Sequence, residues 1–588
     1  MTGDELQKLF GRAISCLENN DLDAAEDLIE SVIERIPDSA EAFHVLGLIA
    51  MKRGEIRQAG RWFERAANSS ADEAKYHYNY GVVLQQMGEM SRAVAAYEKA
   101  LALDPYHIEA RNNLAAALRD TFCLYSAEKH AREVLSSHPQ NVNAWNNLGS
   151  ILRDQGRIEE ALDAYRRALS CGKPNSVVHS NLLLCMHYRP ECNAGEIFKE
   201  HQRWAAIHCG HLKRMSPKEL GDSFPKRLSI GYVSADFRSH SVAFFLKPLL
   251  YHHDRNRFTI YCYDSGTRSD TTTDWFRKLP VTWREIHHLT DEAAARQIRE
   301  DGIHILVDCS GHTDGNRLKV FAMKPAAVQV TYLGYPNTTG LSEIDYRLTD
   351  AVADPVGEPT PATEALFRLP DGFLCYRPPD NAPSVNLLPA LCNGHITFGC
   401  FSSIPKLNTQ VLELWAKLLL ALPSAVLMLK ARQFKDTGVA ASVESFFVKK
   451  RVLNNRIRIV GETSSVSDHL RWYQQVDIAL DPFPYNGTTS TYEALFMGVP
   501  VITLKGKTHA GRVGASIMTR VGLSEFAVST LQRYIELASF LSRNLELLSR
   551  IRASLRQKLM ACNDGVAFTR QIESAFRHMW EKRCLRGR

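Results

Sequence analysis

The feature that most constrains the fold is a repeat of 34 residues in the N-terminal third of the chain. Segments 41–74, 75–108, 109–142 and 143–176 align without gaps, and residues 7–40 fit the same register. A small residue fills the seventh position and an alanine the nineteenth, and a proline closes three of the units. This pattern predicts pairs of helices that cross closely at the small residues, the second helix ending near the proline.

These units form the tetratricopeptide pattern, which predicts an α-solenoid. One unit cannot bury its apolar faces alone, so neighbouring units stack into a superhelix with a concave binding surface. Residues 177–210 keep the period but lose the small residues, as a terminal capping unit does. The predicted partner of such a superhelix is a protein or peptide held along its groove.

One asparagine recurs in each of four consecutive units, from 75–108 to 177–210, and is a candidate for contact with that peptide. The four residues are Asn79, Asn113, Asn147 and Asn181. An asparagine side chain offers both a donor and an acceptor, which suits contact with a peptide backbone. The alternative is that each asparagine hydrogen-bonds within the solenoid, and the spacing leaves both interpretations open.

The remainder of the chain alternates short apolar runs with helical patterns. Two such series, separated by the irregular segment 351–394, predict two doubly wound α/β domains with parallel sheets. Ligands of such sheets bind beyond the carboxyl ends of the strands. The predicted domains are the repeats (1–176), capping helices and a linker (177–225), a first lobe (226–392) and a second lobe with a C-terminal helix (393–588).

Composition disfavours several other classes of protein. The net charge of +6 is small for 588 residues and does not favour nucleic acid as a partner. No apolar run approaches the roughly 18 residues of a membrane span, and the N-terminus lacks the layout of a signal peptide. The nearest approach to a metal cluster, Cys185, His187 and Cys192, fits no zinc pattern. We therefore expect a cytoplasmic protein with no membrane contact, whose cysteines are buried or incidental thiols.

The segment LKGKTHAG contains an incomplete nucleotide-binding motif. Gly506, Lys507 and Thr508 match the end of a P-loop, but the glycine required five residues earlier is Val501. No G-x-G-x-x-G follows the first strand of either series. The sequence therefore does not support ATP-dependent phosphoryl transfer or dinucleotide redox chemistry.

The segment 476–504 combines a strand end with a cluster of hydroxyl residues. An apolar run ends at Asp481, and a turn leads to a helix predicted from about Thr489 to Met497. Ser490 and Glu493 are spaced as a capping box. A helix start beyond a strand end also suits a diphosphate, because its backbone amides are free. The two interpretations are compatible, since one helix end can be closed by side chains and still receive an anion.

The long motifs of the second half resemble the protein O-GlcNAc transferase/SPINDLY family, and SPINDLY more closely. The resemblance covers nearly the whole chain and rests on SADFRSHSVAFFL, DCSGHTDGNRL, PAAVQVTYLGYPNTTGLSEIDYRLTD, FGCFSSIPKLN and LDPFPYNGTTSTYEALFMGVPVITL. It implies a GT-B fold of two Rossmann-like lobes, with the nucleotide sugar held mainly by the C-terminal lobe. It also implies inversion at the anomeric carbon and no essential metal.

The resemblance assigns catalytic roles to three residues. His240 matches an active-site histidine, and Lys406 matches a lysine that contacts the diphosphate, where a cation stabilises the leaving group. Asp301 matches an acidic residue sometimes placed in the active site, although a surface turn would explain it equally well. His312 is placed either on the acceptor side or in a turn.

Further residues match the donor site of the family. They are Ser403, Lys406, His469, Thr488, Thr489, Ser490 and Glu493. His469 matches a histidine beside the base, and Glu493 falls on a ribose-binding acidic position. Ser403 replaces a glutamine of the O-GlcNAc transferase pattern, and Thr488 replaces its histidine.

The prediction is an inverting transferase that moves GlcNAc from UDP-GlcNAc to Ser and Thr hydroxyls of proteins. Arg512, in HAGRVGAS, resembles the O-GlcNAc transferase form and favours this donor over GDP-fucose. Protein O-fucosylation from GDP-fucose is the alternative within the family. A repeat scaffold with a decayed transferase half, and a sugar-nucleotide epimerase of the same fold, are the alternatives of other classes.

Overall fold

A computed structural model of the protein describes residues 3–191, 193–215, 225–358 and 361–586. Two parts of the chain named above lie outside these described residues. They are Cys192, which is near Cys185 and His187 in the sequence, and most of the linker at 215–226. The chain divides into two compact units, Met1–Ile151 and Leu152–Arg588. The division falls within a helix of the repeats, so the last repeat helices belong to the same unit as the two sheets.

The repeat region is helical. Its helices are α1 (Gly3–Glu18), α2 (Leu22–Ile33), α3 (Ala40–Lys52), α4 (Ile56–Ser69), α5 (Ala74–Gln86), α6 (Met90–Leu103), α7 (Ile108–Asp120), α8 (Leu124–Ser137), α9 (Val142–Asp154), α10 (Ile158–Ser170), α11 (Ser176–Met186) and α12 (Ala194–Cys209). The odd-numbered helices from α3 to α11 begin 34 residues apart. This spacing confirms the predicted tetratricopeptide repeats.

The small residue at the seventh position lies where the two helices of a unit cross. A Cβ atom at Gly47 would lie 2.6 Å from the Phe63 ring, so only glycine fits there. Gly81 meets Tyr97 at the same distance in the next unit. In the unit after that, alanine stands at 115, and the position of the ring is taken by Ala131. In this unit the small side chain at 131 leaves room for a methyl group at 115, so alanine can stand in place of glycine.

The turn inside each unit needs one residue with left-handed backbone. Asn20, Gly54, Gly88 and Gly156 have positive φ there, and Phe122 takes the same place with φ of 59°. Left-handed backbone brings Cβ too close to the following carbonyl oxygen. The unit that contains Phe122 therefore carries a conformational cost that glycine avoids in three other units.

We expect Gly88→Ala to destabilise its repeat by about 1–2 kcal/mol, because φ is +80° there. A Cβ at Gly88 has no atom within 4 Å, so the cost is conformational alone. Gly11→Ala is the matched control, since its Cβ also enters open space but within helix α1. It should stabilise α1 by about 0.5–1 kcal/mol. Hydrogen exchange of the amides in the affected helices measures both effects, and equal signs would contradict the explanation.

The first lobe contains a seven-stranded parallel sheet. Its elements are β1 (Leu228–Ser234), α13 (Ala243–His252), β2 (Phe258–Asp264), α14 (Thr271–Arg277), β3 (Thr282–Glu285), α15 (Asp291–Glu300), β4 (Ile305–Asp308), α16 (Leu318–Ala322), β5 (Val328–Thr331), β6 (Tyr346–Asp350) and β7 (Ala365–Leu369). The strand order is β3-β2-β1-β4-β5-β6-β7. The order reverses at β1 and β4, and the crevice beyond their carboxyl ends is the expected binding place.

The second lobe repeats this topology with six parallel strands. Its elements are α17 (Ala390–Asn393), β8 (Thr397–Cys400), α18 (Thr409–Ala421), β9 (Val426–Lys430), α19 (Thr437–Lys449), β10 (Ile457–Val460), α20 (Val466–Arg471), β11 (Ile478–Leu480), α21 (Thr489–Phe496), β12 (Val501–Leu504), α22 (Val513–Arg520), β13 (Ala527–Val528), α23 (Leu531–Arg543) and α24 (Leu545–Cys562), and a C-terminal helix, α25 (Gly565–Arg586), follows them. The order is β10-β9-β8-β11-β12-β13, with the reversal at β8 and β11. Two Rossmann-like lobes are thereby confirmed.

The apolar runs of the sequence do not indicate four of the strands, namely β3, β6, β7 and β13. The strands β3, β7 and β13 lie at sheet edges, and β3 and β7 are largely half-exposed. An edge strand buries less surface, so the apolar run that marks a central strand is missing. The strand β6 is buried but polar, because Arg347 and Asp350 lie within it.

The C-terminal helix packs on the first lobe, not on the second lobe to which the sequence analysis joined it. His253, after α13, lies 2.9 Å from the Glu573 carboxylate of α25. The Trp580 ring meets His304 at the start of β4, with 4.7 Å between centroids. The chain thus returns to the first lobe at its end and ties the two lobes together.

The helices α11 and α12 also pack on the first lobe. Leu183 and Trp204 share one apolar core with Val233 of β1 and Ile298 of α15. Among the described residues, no helix is long and apolar enough to cross a membrane. The shared core joins the capping helices α11 and α12 to the first lobe.

Candidate active site

His240 lies in the loop after β1, at the reversal of the first sheet. Its Nδ1 is 3.3 Å from the Asp236 carboxylate. The loop is held by Asp270, which accepts the backbone N–H of Ser239 at 2.7 Å. Burial lowers the pKa of His240, Asp236 opposes this, and Arg432 of the second lobe adds to it. A histidine of lowered pKa is neutral at neutral pH and can accept a proton.

Two other residues predicted for the site, His312 and Asp301, also belong to the first lobe. His312 is fully buried, and its Nε2 donates to the Thr339 carbonyl at 2.8 Å, so it fills a turn and lines no accessible surface. Asp301 ends α15 at the amino end of β4, opposite to the strand ends that bind ligands. Its carboxylate accepts from Tyr263 at 2.8 Å and from Arg284 at 3.0 Å. The structure therefore does not bring Asp301 to His240.

The helix α21 starts where the sequence analysis expects it, but its cap is different. Thr488 is the N-cap residue, and its side chain makes no capping hydrogen bond. The predicted capping box of Ser490 and Glu493 is wrong, because Ser490 lies inside the first turn. The first amides of a helix have no partner inside it. The start of α21, with half-buried Thr488, Thr489 and Ser490, therefore presents free amides and hydroxyls to an anion.

Glu493 faces a histidine instead of closing its own helix. His469 lies 3.0 Å from Glu493 through Nε2, and its Nδ1 is 2.8 Å from the Lys430 ammonium. An ammonium has only protons to donate, so Nδ1 accepts and Nε2 carries the proton that is donated to Glu493. Lys430 ends β9 and was not predicted as a site residue. Its signal in the sequence is a lysine at the end of an apolar strand.

Aromatic rings pack beside this group of Lys430, His469 and Glu493. The Phe401 ring, just after β8, lies 5.9 Å from His469 and 4.3 Å from Tyr473 between centroids. The Tyr473 hydroxyl donates to the Ser490 carbonyl at 3.1 Å. Together with Glu493, this places an apolar face, a histidine and a carboxylate beside the start of α21.

Lys406 contacts the turn that leads into the same helix. Its Nζ donates to the Asn486 carbonyl at 2.7 Å and lies 4.0 Å from the centroid of the Tyr485 ring. Burial lowers the pKa of Lys406 to about 8, while the negative charge of Asp481 raises it. Ser403, three residues earlier, is exposed and precedes the 3-10 turn that carries Lys406.

Asp481 shapes the turn that leads to α21, a role the sequence analysis did not assign. Its carboxylate accepts the Gly487 N–H at 2.6 Å and the Thr503 hydroxyl at 2.7 Å. Burial raises the pKa of Asp481 to about 7. A Cβ at Gly487 would lie 2.6 Å from the Ser490 hydroxyl, so glycine is required for the tight approach to the helix start.

The two lobes meet beside this helix start. A cavity of about 60 Å³ is lined by Leu333 and Gly334 of the first lobe and by Tyr485, Thr488 and His509 of the second. Arg512 does not line this cavity. It is buried and holds a loop by donating to the Gly506 carbonyl at 3.1 Å and to Glu358.

The repeat asparagines are half-buried and bond between neighbouring units. The Asn79 amide lies 2.7 Å from His44 Nε2, and Asn147 donates to the Asn112 carbonyl at 3.1 Å. Asn113 bonds to the hydroxyls of Tyr78 and Tyr97. These bonds fit the interpretation of asparagines inside the solenoid, and peptide contact by Asn79, Asn113, Asn147 and Asn181 stays a prediction.

The site offers cationic and polar groups for a diphosphate and a carboxylate for a diol. In the described part of the chain, no three histidine, cysteine or acidic side chains are placed to hold a metal ion. Charge on a bound diphosphate would be met by Lys406 and by the amides of α21.

Comparison with known proteins agrees with this arrangement. Residues 207–376 and 387–565, more than half of the chain, match Glycosyl transferase family 41. Residues 10–73, 74–107 and 126–176 match tetratricopeptide repeats. Both halves of the architecture are therefore recognised independently.

Two plant proteins illustrate the relationship. Each bears the name Probable UDP-N-acetylglucosamine--peptide N-acetylglucosaminyltransferase SPINDLY. The Petunia hybrida protein is 38% identical over 411 residues, which cover 69% of this chain and 44% of that protein. The Arabidopsis thaliana protein is 39% identical over 414 residues, which cover 69% and 45%. The chain thus spans less than half the length of these relatives.

A solved structure matches over nearly its whole length. It is a mutant of the Thermobaculum terrenum O-GlcNAc transferase, 33% identical, with a TM-score of 0.84. The match covers 88% of this chain and 98% of that one. The repeats, the two Rossmann-like lobes of the GT-B fold and these matches show that the chain belongs to the O-GlcNAc transferase/SPINDLY family, family 41 of the glycosyltransferases.

Proposed function

We propose that the protein transfers GlcNAc from UDP-GlcNAc to serine and threonine hydroxyls of proteins. The observation that carries this proposal is the pairing of Lys406 with the uncapped start of α21 at the strand ends of the second lobe. A cation and a row of free amides around one point suit a diphosphate that gains charge as it leaves. The names of the plant relatives and of the bacterial neighbour support GlcNAc as the sugar.

The nucleoside would lie beside the start of α21, next to Glu493 and His469. Glu493 would accept hydrogen bonds from the ribose diol, and His469, oriented by Lys430, would lie beside the base. A carboxylate that accepts from two hydroxyls makes charge-assisted hydrogen bonds, which are roughly twice as strong as neutral ones. Glu493 and His469 would thus hold the donor without taking part in bond breaking.

The transfer would be a direct displacement. The acceptor oxygen forms a bond to the anomeric carbon as the bond from that carbon to the diphosphate oxygen breaks, which inverts the anomeric configuration. His240 would take or orient the hydroxyl proton, and Lys406 would stabilise the departing diphosphate. No metal or cofactor enters this proposal, because the chain supplies the positive charge itself.

The protein acceptor would be held along the groove of the repeats. Asparagine side chains can bind a peptide backbone without reading its side chains, so one groove could serve many acceptors. The ladder Asn79, Asn113, Asn147 and Asn181 is our proposal for this contact. A protein acceptor distinguishes the enzyme from an epimerase, which has no use for five repeats.

The identity of the donor is decided by incubating the protein with UDP-GlcNAc or GDP-fucose and a peptide mixture. Mass spectrometry of the peptides identifies the sugar attached. Glycosylation from UDP-GlcNAc supports the proposal, and turnover of GDP-fucose alone overturns the choice of donor. Donor consumption that needs no peptide would favour the epimerase. If neither donor gives a product, the repeat scaffold with a decayed transferase half is favoured.

We expect the transfer rate to be bell-shaped in pH. Lys406 is cationic below its pKa of about 8, so the charge that stabilises the leaving group is lost as pH rises through this value. His240 has a pKa lowered from the ordinary 6.5, so its basic form is lost only at still lower pH. The pH dependence of kcat/KM for the donor, which follows the groups of the free protein, measures both limbs. A kcat/KM that stays constant between pH 8 and pH 10 would contradict the role of Lys406.

A further inference from the structure

One tyrosine ring, Tyr485, is in contact with both Lys406 and a residue of the capping helices. The Lys406 Nζ lies 4.0 Å from the centroid of this ring. The Tyr188 ring is stacked on it, with 5.3 Å between centroids and planes 13° apart. Tyr188 belongs to the turn after α11, about 220 residues from Lys406 in the sequence. The two tyrosines therefore form a direct physical connection between the capping region and the lysine.

The turn that carries Tyr188 is held in place by its neighbours. His187 Nε2 lies 2.9 Å from the Tyr335 hydroxyl, and Leu183 is buried in the core of the first lobe. The turn between α9 and α10, in the last repeat before the capping helices, also reaches the lysine loop. A Cβ at Gly156 would lie 3.1 Å from the Ile404 side chain, two residues before Lys406. Tyr188 is thus presented to Tyr485 by a rigid support.

A lysine needs such support because its side chain is long. Its four-carbon stem has many rotamers, and holding one of them costs conformational entropy. The hydrogen bond to Asn486 fixes one direction of the ammonium, and the face of Tyr485 fixes another through a cation–π contact. Tyr485 can do this only while its own ring is held, and Tyr188 holds it by stacking.

We infer that Tyr188 is a positioning residue for Lys406 and acts through the ring of Tyr485. This inference rests on the proposed function, in which Lys406 stabilises the leaving diphosphate. It means that the capping helices complete the donor site in addition to ending the solenoid. Nothing in the motifs around Lys406 or α21 indicates this residue, because it lies in a different part of the chain.

The environment of Lys406 makes the inference measurable. Asp481 and the Cys400 thiol oppose the effect of burial on the pKa of Lys406, and His187 faces Tyr485 from the capping side. Burial is the largest influence and lowers this pKa to about 8. Removing the Tyr188 ring frees Tyr485 and admits water, so the pKa of Lys406 should rise toward that of an ordinary lysine.

The first test measures Lys406 directly and needs no turnover. The protein is labelled with acetic anhydride over a range of pH, and acetylation of Lys406 is quantified by mass spectrometry. We expect a labelling pKa near 8 in the natural protein and a value at least one unit higher in Tyr188→Ala. Tyr188→Phe keeps the stacked ring and should restore the lower value. Tyr106→Ala, at a tyrosine that is 88% exposed, is the matched control and should change nothing.

The second test is kinetic and uses the same variants with UDP-GlcNAc and peptide. We expect Tyr188→Ala to lower kcat about tenfold with little change in the KM for the donor, because a small misplacement of a catalytic group is costly. Tyr188→Phe should recover most of kcat. Tyr188→Leu, which keeps an apolar side chain, provides a folded variant without a ring and should behave like Tyr188→Ala.

The two tests separate the failure of this inference from the failure of the proposed function. If Tyr188→Ala and Tyr188→Leu leave the labelling pKa of Lys406 at the natural value, the positioning role is wrong, whatever happens to kcat. If the natural protein transfers no sugar while the labelling pKa shifts as expected, the contact is real and the proposed function is wrong. A parallel loss of kcat in Tyr188→Phe would also overturn the stacking explanation.

Discussion

Lys406→Met should lower kcat for sugar transfer by about 10²–10³-fold, the effect of removing one preorganised charge from a developing anion. Methionine keeps most of the volume and the apolar contact with Tyr485, so the loop should remain folded. The KM for the donor should change much less, because the charge on the diphosphate grows mainly in the transition state. Steady-state kinetics with a saturating peptide acceptor give both values.

Lys507→Met is the matched control for this variant. Lys507 is exposed and belongs to the incomplete P-loop motif, so its removal should leave kcat and KM unchanged. A strong loss of activity in Lys507→Met would restore the phosphate-binding interpretation of that segment. An unchanged kcat in Lys406→Met would remove the basis of the proposed mechanism.

Glu493→Ala should raise the KM for the donor by about 10–100-fold with a smaller effect on kcat. Hydrogen bonds to a charged acceptor contribute about 1.5–3 kcal/mol each, and the ribose would lose this acceptor in the ground state and the transition state alike. His469 also loses the partner of its Nε2–H, at 3.0 Å in the structure. Calorimetric titration with UDP measures the loss of binding without any need for turnover.

Two further variants define what Glu493 does. Glu493→Gln keeps an acceptor oxygen but removes the charge, so its binding should fall between the natural protein and Glu493→Ala. Glu525→Ala removes an exposed carboxylate from the same lobe and should bind UDP normally. Normal UDP binding by Glu493→Ala would show that the ribose lies elsewhere.

The repeats and the central strands were predictable because their signals are local. A helix pair of 34 residues carries its small residues, its alanine and its turn within one unit, so the period is visible in the chain itself. The sequence does not show what each small residue faces, and Phe63 opposite Gly47 becomes visible only in the packed pair. Edge strands such as β3 lack the apolar run of a buried strand and were missed for that reason.

The candidate site was predictable in part. The start of α21 follows from a strand, a turn and a cluster of hydroxyls that are adjacent in sequence. The capping box was wrong, because spacing alone does not determine the backbone torsion at Thr488 or the partner that Glu493 finds. The resemblance left Asp301 either in the active site or in a surface turn, and α15 runs back along the sheet and leaves it at the end of the strands opposite to His240.

The sequence by itself determined the class of the protein, namely repeats followed by two doubly wound lobes with their ligand-binding residues after strands. These features depend on residues near one another in the chain, through periodicity, strand ends and helix starts. Only the tertiary structure decided which side chains act together. The contacts of Lys430 with His469, of Lys406 with Asn486 and of Tyr188 with Tyr485 join residues that are 39, 80 and nearly 300 positions apart. Such contacts arise when strands and helices pack side by side, and no local pattern encodes them.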